Sequence, residues 1–181
     1  MARTVVVSMA LLLPACRSHP IIDVLTLSLC ELAQAPTILH GTIKAWGQTG
    51  DMALPGSSAT AERTPLRLAV DRVVRGEAVA SEIVVFVQGR IWPDGSTDFY
   101  GALKGPDGLL GGYFFLSKEA DHYVVWYQGF YWEDQGVLKN AGVNDYVGIA
   151  PAEFEAEVSR DYGKTCPEDM PAPACDRDGG C

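Results

Sequence analysis

Along the middle of the chain apolar and polar residues alternate with the period of a β-strand. Leu66, Leu68 and Val70 alternate with Arg67, Ala69 and Asp71, as in a strand with one dry face and one wet one. The alternation slips at Val73-Val74, and Arg75-Gly76-Glu77 supplies a turn in which glycine takes a positive φ. Ile83-Val84-Val85-Phe86-Val87 is apolar on both faces and rich in β-branched residues, which predicts a centrally placed strand ending at Gln88-Gly89. Residues 37–46 predict an earlier strand, bent or bulged at Gly41. Residues 112–116, 122–127, 128–132 and 137–139 predict a continuing meander with polar turns at 118–121 and 133–136. Ile22, Leu25, Leu29 and Leu32 stand at helical spacing, so a helix over 21–35 ends before Pro36. Residues 151–162 predict a second helix, with Pro151 at its first position and Phe154 and Val158 on its buried side. A helix, five or six short strands and a helix, with no βαβ alternation, predict a mainly β chain. Its architecture is one small antiparallel barrel with an N-terminal and a C-terminal helix at its flanks, and the apolar side chains between Ile38 and Leu138 face inward.

Two stretches interrupt the strands. Residues 47–64 are rich in Gly, Ser, Thr and Ala around Pro55-Gly56, and read as a mobile loop. Residues 89–112 carry Pro93-Asp94-Gly95, Gly105-Pro106-Asp107-Gly108 and Gly111-Gly112. A long irregular segment in a compact domain is a natural place for a binding surface. Trp92, Phe99 and Tyr100, with Ile91, are the candidate apolar anchors of that surface. The plainer alternative is that these aromatics cap one end of the barrel.

The 181 residues have room for one domain with a real core, and the net charge is −9. Removing a leader that contains Arg3 would take the charge to about −10. Phosphate backbones repel such a surface, so no nucleic-acid partner is expected. Met1-Ala2-Arg3 forms a short basic region, residues 5–13 an apolar run too short to span a bilayer, and Leu13-Pro14-Ala15-Cys16 follows. This order resembles the lipobox of bacterial lipoprotein signal peptides, from which Pro14 departs. The resemblance implies cleavage after residue 15, lipidation of Cys16 and attachment to the cell envelope, otherwise secretion. A plain secretory leader and a buried N-terminal strand are the alternatives. Arg17, where an aspartate would resemble an inner-membrane retention signal, leans toward the outer membrane.

Cys30, Cys166, Cys175 and Cys181 then remain, an even number that in an exported chain suggests two disulfides with three possible connectivities. The preferred pairing joins Cys30 to Cys166, tying the ends of the domain together, and Cys175 to Cys181 in the tail; free thiols are the alternative. A zinc site is weaker, because no Cys-x-x-Cys occurs and His19, His40 and His122 are scattered. No metal or cofactor is expected. Residues 1–15 thus read as a signal peptide, 16–27 as a tether and the start of the first helix, 28–162 as the barrel domain, and 163–181 as a flexible Cys-containing tail.

The order of motifs resembles a group of exported bacterial proteins built on the OB-like barrel of tissue inhibitors of metalloproteinases, the netrin-like fold. The matching residues are Ser28-Leu29-Cys30-Glu31-Leu32, Ala35, His40-Gly41-Thr42-Ile43, Val70-Asp71-Arg72-Val73-Val74-Arg75-Gly76, Leu110-Gly111-Gly112-Tyr113-Phe114-Phe115-Leu116 and the helix from Pro151 to Val158. The resemblance implies an OB-like barrel more than it implies an activity. Inhibitors of that family chelate the protease zinc through an N-terminal Cys-x-Cys. Here Arg17 and Ser18 follow Cys16, and an acylated amine cannot coordinate.

No catalytic motif stands out. Gly56-Ser57-Ser58 lacks the strand and helix of a nucleophile elbow, and Glu133-Asp134 on a turn reads as a solvated face rather than a glycosidase pair. Asp176-Arg177-Asp178-Gly179 is misspaced for an EF-hand. His122 reads as a packed or surface histidine. The expected function is a non-enzymatic, lipid-anchored envelope module that binds a protein or a glycan through the 47–64 and 89–112 loops. The alternatives are a small exported hydrolase and a loop-based protease inhibitor.

Overall fold

The computed structural model describes residues 29–98, 100, 102–105, 107–140 and 148–166. The leader, Cys16, the tether, the first part of the predicted N-terminal helix, Phe99, Cys175 and Cys181 lie outside the described residues. The chain is mainly β. Its elements are α1 (Leu29–Leu32), β1 (Thr37–Trp46), β2 (Gly50–Ala53), β3 (Thr60–Arg75), β4 (Glu82–Gln88), β5 (Lys104–Gly105), β6 (Gly108–Leu109), β7 (Gly111–Glu119), β8 (His122–Asp134), β9 (Val137–Lys139) and α2 (Pro151–Asp161).

The main sheet runs β1-β7-β8-β4-β3-β2, β3 also pairs with β1, and β9 pairs with β8. Every pairing is antiparallel except β4 with β8, which is parallel over Val85↔Tyr123 and Phe86↔Val124. The alternation seen in the sequence is the alternation of burial: Leu66 and Leu68 are buried while Arg67 between them is exposed. Gly41 and Gly112 stand opposite each other in the β1–β7 ladder. A Cβ on Gly112 would lie 2.0 Å from the Tyr131 carbonyl oxygen, and one on Gly41 2.5 Å from that of Ala69. Only glycine lets the strands approach so closely there.

The apolar side chains do not all face one interior. Leu39, Leu66, Leu68, Val85, Phe114, Leu116 and Phe130 share one buried cluster, while Ile38, Tyr113, Phe115, Tyr131 and Leu138 form a second with α1 and with Phe154 and Val158 of α2. Because neighbouring strand residues point to opposite faces, β1 and β7 feed both clusters at once. Burial of Phe154 and Val158 supplies about 1.5–3 kcal/mol each, and these two are the buried residues of α2, as the helical spacing predicts.

Other expectations need correction. Residues 47–64 are not one loop: β2 pairs with the start of β3 from Gly50↔Arg63 to Ala53↔Thr60. These residues lie beyond the core, so their strand carries no hydrophobic period. The two strands expected at 122–127 and 128–132 are one, interrupted by a bulge. β4 is central in sheet order but open on one side, with Val84 at 48% exposure.

Candidate functional site

The loops after β1 and after β4 converge on one surface groove of about 650 Å³, where Trp46, Gln48 and Thr49 face Arg90, Trp92 and Pro93. Thr64, fully buried on β3, holds both sides. Its hydroxyl donates to the Gly89 carbonyl (2.8 Å), which uses its single proton. The Thr49 hydroxyl, 2.8 Å away, is therefore the donor to Thr64. Gly47 N–H also donates to the Pro65 carbonyl (2.9 Å).

The far side is a tight turn. Gly95 N–H donates to the Trp92 carbonyl (2.8 Å), and Trp92 N–H donates to that of Ser96 (2.9 Å). Gly95 has φ +87°, and a Cβ there would sit 2.8 Å from Cβ of Lys104 and 3.6 Å from the Trp46 ring. The positive φ and the close approach of Lys104 are what require glycine in this turn. The Asp94 carboxylate accepts from Ser96 N–H (3.0 Å) and Ser96 O–H (2.7 Å), and these bonds hold its carboxyl below the usual carboxylate range. The Arg90 guanidinium lies 5.3 Å from the centre of the Trp92 ring and donates to Glu62 (3.0 Å). The Arg90 N–H donates to Asp98 (2.9 Å).

Of the predicted surface residues, Trp92 is 44% exposed and stands in the groove. Tyr100 is not on the surface. It is 2% exposed and packs in the larger core cluster, where its hydroxyl donates to the Val125 carbonyl (3.2 Å). A tyrosine whose hydroxyl finds an acceptor buries as readily as a phenylalanine. Ile91 is likewise buried. Cys30 and Cys166 are joined, with Cα atoms 5.6 Å apart.

A second polar assembly lies under α2. His40 Nδ1 meets Asp71 (3.0 Å) and Nε2 meets Glu133 (2.9 Å). Both contacts are hydrogen bonds only while both ring nitrogens carry a proton. The ring packs edge-on against Tyr113, 4.9 Å between centres. The Tyr113 hydroxyl donates to Glu155 (2.5 Å) and accepts from Arg72 (3.0 Å), which also donates to Glu155. Burial, followed by the bond to Glu155, pushes the Tyr113 hydroxyl well above its ordinary range. Burial also pushes Glu155 upward, but the bonds from Tyr113 and Arg72 outweigh it and leave its carboxyl below the usual range. The guanidinium of Arg72 is raised in turn, chiefly by its bond to Glu155.

Sequence reasoning missed Trp46, Thr64 and the His40 assembly. A tryptophan followed by glycine at a strand end was the available signal for Trp46. His40 had none, since its two carboxylates are 31 and 93 positions away in the chain. Among the described residues no group of three or more His, Cys, Asp or Glu could hold a metal ion, and no helix is long and apolar enough to cross a membrane. No protein-family model, curated protein or solved structure matches this chain.

Proposed function

We propose that the protein is a non-enzymatic binding module of the bacterial cell envelope. Its leader is removed, Cys16 is lipidated and tethers it to the outer membrane, and the Trp46–Trp92 groove contacts a protein or a glycan. The convergence of two tryptophans, one at the end of β1 and one in the loop after β4, on one groove carries the reading. Aromatic side chains offer large contact area at little entropic cost, and a backbone already pinned at Thr64 and Gly95 loses little more on binding. Gln48 and Arg90 supply donors around them, and the Thr49 hydroxyl oxygen, whose proton goes to Thr64, an acceptor.

The scaffold behind the groove is an OB-like barrel of the netrin-like kind. β1, β3, β4, β8 and β7 pair in a circuit that returns to β1, as in a small Greek-key barrel, and this supports the reading. Zinc chelation by the N-terminus is not part of the proposal, because Arg17 and Ser18 follow Cys16.

Two measurements test it. Intact mass of membrane-extracted protein, with and without reductant, should start at an acylated Cys16; a chain retaining Met1 and free of lipid removes the anchor. Trp92→Ala at unchanged Tm, and Trp46→Ala at a Tm lowered by its lost packing against the larger core cluster, should each abolish retention by isolated envelope material, and undiminished retention by both removes the groove.

One observation favours the enzyme alternative. Glu133, which touches His40, also lines a cleft of about 540 Å³ beside Trp132 and Asp134. Both His40 nitrogens already face carboxylates, which leaves neither for a substrate proton. A hydrolase of this kind would lose its turnover of ester, peptide or glycoside substrates in His40→Ala.

A further inference from the structure

The parallel seam between β4 and β8 comprises two residue pairs, Val85↔Tyr123 and Phe86↔Val124. Just past it β8 changes register: Val125 pairs with Leu116, and the next pair is Phe130 with Phe114. Residues 126–129 thus stand against Phe115 alone, a break larger than a simple two-against-one bulge, and bulges are over-represented beside binding sites. A cavity of about 340 Å³ opens where the seam ends, with Arg63, Gln88, Ser117, Glu119, Val125 and Trp126 in its wall.

Arg63 is 6% exposed. Its Nη1 donates to Glu119 Oε2 (2.7 Å) and its Nη2 to Oε1 (3.2 Å). A guanidinium has five N–H donors. Two go to Glu119, and among the described residues no other acceptor meets the Arg63 guanidinium. Desolvating such a pair costs several kcal/mol per ion, so a buried pair is weak evidence of a purely stabilising role. Here the pair lines a cavity, with donors to spare on the cation and lone pairs to spare on the carboxylate.

The ligand's chemistry follows from that pairing. A simple anion drawn to Arg63 would meet the Glu119 carboxylate at close range, and a simple cation drawn to Glu119 would meet the guanidinium. A molecule carrying both charges on groups attached to one carbon satisfies both partners. Val124, Val125 and Trp126, with Leu54 from the β2–β3 turn, form the apolar remainder of the wall. The volume is at the small end of ligand sites.

We propose that this cavity binds a zwitterion of the amino-acid type with an apolar side chain. Its carboxylate takes the open donors of Arg63, its ammonium the free lone pairs of Glu119, and its side chain the surface of Val124, Val125 and Trp126. Gln88 and Ser117 hold the polar rim. The site is separate from the Trp46–Trp92 groove and stands without it.

Titration calorimetry on the full chain tests this, with L-leucine and L-phenylalanine as probes and N-acetyl-leucine and leucinamide as blocked controls. At least one free amino acid should bind saturably, and each blocked form should bind tenfold or more weakly. Arg63→Lys, which keeps the charge and loses the fork, should weaken binding tenfold or more. Gln88→Ala, at the exposed end of β4, should weaken it several-fold without unfolding the chain and decides alone if Arg63→Lys does not fold. The proposal is overturned if neither amino acid binds saturably by about 10 mM. Equal binding of the blocked forms overturns it too, as does wild-type affinity in the folded variants.

Discussion

Thr64 shows how much one side chain organises. One hydroxyl donates to Gly89 and accepts from Thr49, so the loops on both sides of the groove are registered to the same atom of β3. Thr64→Val keeps the shape and leaves both partners without it, a cost of about 1–3 kcal/mol. Urea unfolding should show that loss, together with weakened groove binding although Thr64 touches no ligand. Glu155 makes the matching case for charge. Its carboxyl is depressed because its ionised form accepts from Tyr113 and Arg72. A depressed carboxylate stabilises fully above its ordinary value of about 4.3 and loses that contribution as pH falls through its folded value. The gap in unfolding free energy between wild type and Glu155→Gln should hold from pH 7 to about pH 5 and close in stronger acid. A gap unchanged at pH 3 would place the stabilisation elsewhere.

At the scale of elements, α2 is fastened at its end by contacts spread across the chain. Arg75 donates to the Ala33 and Val158 carbonyls, and its guanidinium lies 3.9 Å from the centre of the Tyr162 ring. Gln34 donates to the Asp161 carbonyl (2.9 Å) and accepts from Gly163 N–H (3.0 Å). The Cys30–Cys166 disulfide closes the same corner across 136 positions. Replacing both cysteines by serine should cost about 2–5 kcal/mol, read as a lowered urea midpoint. An unchanged midpoint would mean that Arg75 and Gln34 suffice. α2 was legible beforehand without these fastenings: Pro151, Phe154 and Val158 announce its start and its buried face locally, whatever holds its far end. β2 was not legible, since its residues have no face toward a core and so carry no period to read.

For the whole molecule, the even cysteine count offered Cys30–Cys166 as one of several pairings, while the pattern of apolar residues determined that the chain is mainly β and where most strands lie. That pattern follows from local rules of pleat, turn and length. It could not determine that β1 and β7 serve two cores, because alternate apolar residues read alike whichever face is covered by a helix. Nor could it bring Trp46 beside Trp92, seat His40 between Asp71 and Glu133, or open a cavity around Arg63 and Glu119. Those meetings depend on strand order and register, which come from long-range backbone pairing. A single sequence records the propensity of each strand but not the partner it will choose.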